Sequence, residues 1–144
     1  MSSFRERLED LLIENNISKY QLSKEVGVSP ETICGYFRKD LYPEISIAKR
    51  IAELFNCSLD YLFGLTEQLT NNERSELSFI ETLKKLLKEN NLSVERAMKN
   101  LNLSESTFYR WQRGDAKPLT SMIISLAKYF DVSVDYLASE YVEK

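Results

Sequence analysis

The chain repeats itself, and that constrains its fold more than any other feature. At an offset of about 75 residues FRERLEDLLIENNIS (Phe4 to Ser18) falls on FIETLKKLLKENNLS (Phe79 to Ser93), VGVSPETICGYFRKD falls on LNLSESTFYRWQRGD, and FNCSLDYL falls on FDVSVDYL, all without a gap. Roughly a third of the aligned positions are identical, and most of the rest keep apolar opposite apolar, as expected of a duplicated unit. A period this long exceeds that of a solenoid repeat and suits two tandem small domains, 1–69 and 70–144. Whatever fold one half adopts, the other must also be able to adopt.

Each half reads as five short helices. Phe4, Leu8, Leu11 and Leu12 recur at helical spacing, and the stripe ends at Asn15-Asn16, where a left-handed residue is tolerated. Ser18 and Gln21 have capping-box spacing at the start of a second helix whose Leu22 and Val26 face inward, and Gly27 supplies the turn that follows. Ser29-Pro30 opens a third helix, Ile45 to Phe55 forms an amphipathic fourth, and Ser58 to Leu62 a short fifth. Ile33 with Tyr36, and Phe108 with Trp111, fall on the inward side of the third helix in each half. Thr70 and Glu73 again have capping-box spacing, which predicts that the second half begins its first helix near Asn71. With only 4 Gly and 3 Pro in 144 residues, the reading is all-α.

The chain contains no histidine, so Ser-His, Cys-His and His-metal arrangements are closed to it. Cys34 and Cys57 stand at no metal-ligand spacing and suit reduced thiols; Cys34 falls on the outer side of the third helix. No glycine-rich phosphate loop is visible. The expectation is a non-enzyme without cofactor or metal. No apolar run approaches the roughly 20 residues of a membrane span and the amino terminus lacks a signal-peptide pattern, which predicts a cytoplasmic protein without membrane contact.

The net charge of −3 conceals an asymmetry. Phe4 to Leu69 holds eight Lys and Arg against eleven Asp and Glu, whereas Phe79 to Phe130 holds nine against five. Phosphate binding needs clustered positive charge, so the second half is the better candidate for a nucleic-acid contact.

The order of a helix, a Ser-capped helix, a tight turn, another Ser-capped helix and an amphipathic helix ending in LFNCSLDYLFG is that of a helix-turn-helix module. The unit resembles the Cro/Xre-type, lambda-repressor-like domains of phage and bacterial repressors, with NNISKYQLSKEVGVSPETI matching the motif and two copies covering almost the whole chain. The resemblance implies a third helix in the major groove of duplex DNA. Carried over, Pro30, Glu31, Thr32 and Gly35 would face bases, while Lys19, Tyr20, Arg38, Lys39 and Tyr42 would meet phosphates. In the second copy Glu105, Ser106, Thr107 and Arg110 would face bases, and Val94, Arg113 and Lys117 phosphates.

The two copies depart from the family pattern in opposite ways. The first keeps the turn glycine, Gly27, but its reading helix lacks the donors that pair with guanine or adenine edges. The second replaces that glycine with Asn102 and the small inward residue with Met98, yet offers Arg110, able to bind guanine in bidentate fashion. The expected function is a sequence-specific duplex-DNA-binding transcriptional regulator of bacterial or phage type, a repressor. The rival is a protein-binding inhibitor, antirepressor or antitoxin-like adaptor on the same scaffold. An apolar surplus that includes Leu41, Leu69, Leu119 and Tyr141 leaves a homodimer or a protein partner open.

Overall fold

In a computed structural model, residues 3–39 and 41–139 are described; Tyr141 lies outside them. They divide into two compact units, one ending at Asn72 and the other beginning at Glu73. The first holds α1 (Phe4–Glu14), α2 (Lys19–Val26), α3 (Pro30–Arg38), α4 (Ile45–Leu54) and α5 (Leu59–Leu62). The second holds α6 (Phe79–Glu89), α7 (Val94–Asn100), α8 (Glu105–Arg113), α9 (Thr120–Phe130) and α10 (Val134–Leu137). No strand occurs among the described residues, so the fold is all-α with five helices to a unit.

Serine starts most of these helices. Ser3, Ser18 and Ser78 complete reciprocal capping boxes with Glu6, Gln21 and Glu81, and the hydroxyls of Ser29, Ser58, Ser93 and Ser133 each accept from the backbone three residues on. Each such cap contributes about 1 kcal/mol by satisfying an amide the helix leaves open. Short polar residues end several of the helices. Asn16, Asn56, Asn91, Asn102 and Asp131 all have φ between 54° and 59°, the left-handed conformation that asparagine and aspartate adopt at least cost after glycine.

Apolar side chains from all five helices close each core. Leu8, Leu22, Ile33, Ile51, Leu59 and Leu62 are fully buried in the first unit, as are Leu83, Met98, Phe108, Ile123, Leu126 and Leu137 in the second. Each contributes about 1.5–3 kcal/mol by leaving water. The units fill one position differently. Leu22 and Ser23 are both buried in α2, and their counterparts in α7 are Ala97 and Met98, so the bulk moves one residue along the helix. The buried Ser23 hydroxyl donates to the Tyr20 carbonyl at 2.6 Å, whereas Met98 needs no partner.

The segment between the units corrects one expectation. Thr70 and Glu73 do not start a helix; α6 begins at Phe79, capped by Ser78. The Glu73 carboxylate instead accepts from the Ser133 amide at 3.1 Å, at the start of α10. The equivalent amide in the first unit, that of Ser58, donates to the Leu69 carbonyl at 2.9 Å. The same helix start is thus satisfied by chain that follows it in one unit and by chain that precedes it in the other. Further bonds hold Ser75: its amide donates to Ser139 Oγ at 2.8 Å and its hydroxyl lies 2.8 Å from Thr82 Oγ1.

Candidate nucleic-acid interface

In the first unit, buried Leu22, Val26 and Ile33 lock α2 to α3 through the turn at Gly27, where φ is +76°. Arg50 Nη1 donates to the Val26 carbonyl at 3.1 Å and closes the end of α2. This packing leaves the start of α2 and the outer side of α3 on the surface. Lys19, Tyr20, Pro30, Glu31, Thr32, Arg38 and Lys39 are exposed there, and Gly35 is half-buried.

The charged groups of this face are partly occupied. The Lys19 ammonium sits 4.2 Å from the centroid of the Phe37 ring, and the Lys24 ammonium 5.4 Å from that of Tyr20. The Thr32 hydroxyl lies 2.9 Å from Ser29 Oγ, within the cap. Lys19, Pro30, Glu31, Cys34, Phe37 and Arg38 line an open concavity of about 390 Å³. Its only guanidinium is that of Arg38, at the far end of α3; it holds no side-chain amide donor for a base edge, and Glu31 repels phosphate. Tyr42 packs its ring against Phe63, centroids 5.5 Å apart, and leaves one edge exposed.

In the second unit Asn102 takes the turn with φ 59° and leads into α8. Phe108 and Trp111 are buried, and Glu105, Ser106, Tyr109, Arg110 and Arg113 face outward. Thr107 and Val94 are half-buried, and Lys117 is exposed on the loop that follows α8. Ser104 Oγ lies 2.9 Å from both Ser106 Oγ and Thr107 Oγ1, forming a hydroxyl cluster at the helix start. The Tyr109 hydroxyl donates to Glu105 at 3.2 Å. Desolvation first, and then that hydrogen bond and the carboxylate's charge, hold the phenol above its ordinary pKa, so it remains a donor.

Three cations of this face differ in availability. Arg113 Nε pairs with Asp115 Oδ2 at 2.9 Å. Arg110 and Lys117 are exposed, and their side chains have no hydrogen-bond or ion-pair partner among the described residues. Sequence reasoning placed Arg110 on the outer face but missed Asp115, whose only signal is its position two residues after Arg113. Among the described residues no group of three or more His, Cys, Asp or Glu could hold a metal ion, and no helix is long and apolar enough to cross a membrane.

This pair of helix-turn-helix units defines the class of protein. The helix-turn-helix family profile matches the chain twice, over residues 8–62 and again over 83–137. The chain therefore belongs to the Cro/C1-type helix-turn-helix family of transcriptional regulators, with two tandem copies of the domain. An uncharacterised HTH-type transcriptional regulator of Archaeoglobus fulgidus is 30% identical over 64 residues, covering 44% of this chain and 90% of that protein. The crystal structure of a transcriptional regulator from Listeria innocua matches at 25% identity with a TM-score of 0.42, covering 69% of this chain and 86% of that one.

Proposed function

We propose that the chain is a sequence-specific duplex-DNA-binding repressor of bacterial or phage type, acting in the cytoplasm, and that its second unit does most of the reading. The observation that carries this reading is Arg110, exposed and unpaired on the outer face of α8 within the basic half of the chain. A guanidinium so placed can bind guanine O6 and N7 together, a contact worth about 1–3 kcal/mol of discrimination. Ser106 and Thr107 offer hydroxyls to neighbouring bases, and Arg113 and Lys117 offer charge to phosphates. In the first unit Lys19, Tyr20, Arg38 and Lys39 serve the phosphate backbone, with Glu31, Thr32 and Gly35 contributing shape more than base-edge donors. The rival reading, a protein-binding adaptor on the same scaffold, is favoured by the poorly equipped face of α3.

Selection of the purified chain against a random duplex library at near-physiological salt tests the proposal. An enriched motif bound at about 10⁻⁸ M or tighter is expected, with a loss of about tenfold or more on Arg110→Ala. Sequence-blind binding near 10⁻⁶ M or weaker would overturn it and favour the adaptor.

A further inference from the structure

We propose that Glu105 selects a cytosine in the DNA site and that Tyr109 is the positioning residue that holds its carboxylate for that base, an inference that rests on the second unit reading duplex DNA through α8. Glu105 opens α8, and Tyr109 follows one turn later on the same exposed side. The Tyr109 hydroxyl donates to Glu105 Oε2 at 3.2 Å, while Oε1 has no partner among the described residues. The ring behind that hydroxyl packs edge-on against Phe108, centroids 5.3 Å apart, and Phe108 is itself in the core. The hydroxyl is thus anchored to the unit's interior, and it restricts how the carboxylate turns.

A carboxylate can only accept, and this decides the base. In the major groove guanine and thymine turn acceptors toward it and are rejected; cytosine N4 and adenine N6 offer donors. Adenine sets the acceptor N7 beside N6, where the second carboxylate oxygen would meet it, whereas cytosine has only a C–H there. Five residues, about 7.5 Å of helix axis, separate Glu105 from Arg110, so the two side chains address different base pairs. The operator therefore carries a cytosine for Glu105 in addition to the guanine for Arg110.

Phosphates repel a carboxylate, and two features offset that repulsion. Glu105 stands in the first turn of α8, where the positive end of the helix dipole favours an anion. The phenol's hydrogen bond also stabilises the charged carboxylate, and it strengthens once the groove displaces water from it. The duplication provides an internal control. Pro30 and Cys34 hold the corresponding positions in α3 and cannot form such a pair, on the same fold. Folding therefore does not demand the Glu105–Tyr109 pair, and the second unit nevertheless carries it on the face proposed for DNA.

The test is selection of the full chain against a random duplex library, followed by anisotropy on the enriched site with each base pair exchanged in turn. One position should prefer cytosine by about fivefold or more. Glu105→Gln should move that preference to adenine, whose N6 and N7 an amide can bind together, and leave the guanine preference due to Arg110 in place. Tyr109→Phe keeps the ring and removes the hydroxyl; it should reduce the cytosine preference severalfold, yet change nothing further in a Glu105→Ala background. Unchanged far-UV circular dichroism will show that the variants fold. A motif in which no position responds to Glu105→Gln would overturn this inference and leave the reading by Arg110 standing, whereas a chain that enriches no motif would overturn both. A cytosine preference indifferent to Tyr109→Phe, or an effect of that variant that persists without Glu105, would overturn the positioning role.

Discussion

Arg113 Nε and Asp115 Oδ2 stand 2.9 Å apart at the end of α8, with both side chains about three-fifths exposed. An exposed pair of this kind contributes at most about 1 kcal/mol, so phosphate can compete for the guanidinium. While the pair persists, however, the guanidinium proposed for a phosphate contact is neutralised by the chain's own carboxylate. Asp115→Asn should therefore tighten DNA binding several-fold at low salt and steepen the dependence of log affinity on log salt by about one unit. Stability should move by less than about 0.5 kcal/mol. A salt titration by fluorescence anisotropy reads both, and an unchanged slope would remove Arg113 from the phosphate contacts.

Gly35 occupies the position in α3 that Arg110 occupies in α8, and a Cβ added there meets nothing within 4 Å. Glycine inside a helix costs about 1 kcal/mol relative to a good helix former. Gly35→Arg should accordingly stabilise the first unit by about 0.5–1 kcal/mol in urea denaturation. If α3 approaches DNA at all, the same variant should also bind duplex more tightly. A stabilised variant with unchanged DNA affinity would take the first unit out of the interface.

Much of the fold was legible because its signals are local. A serine cap, a 3.6-residue stripe and a left-handed Asn or Gly each act within a few residues, so Ser18 with Gln21, the stripe from Phe4 to Leu12 and the turns at Gly27 and Asn102 are all found where the sequence predicts them. Long-range partners were not legible. Thr70 and Glu73 have the spacing of a capping box, but Glu73 spends its carboxylate on an amide 60 residues away. At the candidate interface, helical periodicity alone puts Arg110 on the outer face. The occupancy of its neighbours depends on the third dimension: Lys19 rests over Phe37, and Arg113 turns back to Asp115. The exposed apolar side chains of Ile13 and Tyr20 had a signal in the sequence, the lysine and glutamate, Lys88 and Glu95, that stand at the aligned positions of the duplicate.

Gly27 and Asn102 permit the turn by different means. Both have positive φ, 76° and 59°. A Cβ on Gly27 would lie 3.6 Å from Arg50 Nη1, an ordinary contact, so only backbone strain opposes a side chain there. Gly27→Ala should cost about 1–2 kcal/mol and Gly27→Asn clearly less. Comparing the two variants by urea denaturation separates strain from crowding, since crowding would make the larger asparagine worse than alanine.

Arg7 is 3% exposed and binds residues 61–67 to α1. Its Nη1 donates to the Tyr61 carbonyl at 2.9 Å, its Nη2 meets Glu67 Oε2 at 2.9 Å, and its guanidinium carbon lies 3.7 Å from the centroid of the Tyr61 ring. Thr82 takes this place in the second unit, where it meets Ser75 instead. Arg7→Ala removes both packing and the partners of buried oxygens; because Glu67 remains in water, the loss should be about 1–3 kcal/mol. Arg7→Lys should recover little, since an ammonium cannot form the planar stack and the fork together. A full recovery would reduce the role of Arg7 to its charge.

Tyr36 connects the first core to pH. Its ring is 6% exposed and meets Phe4 edge-on at 5.9 Å. Burial, with a smaller push from the Glu44 carboxylate, raises its phenol above the ordinary value of 10.0. Because the folded state favours the neutral form, the contribution is fully present below the unfolded pKa near 10 and is lost as pH rises toward and through the folded value. The first unit should therefore lose stability progressively above about pH 10, and Tyr36→Phe should flatten that part of the profile. Trp111, the counterpart in α8, has no proton to lose, so its packing contributes no such slope. Urea midpoints of wild type and Tyr36→Phe from about pH 8 to 11 decide the matter, and parallel profiles would assign the alkaline instability to other tyrosines or to lysines.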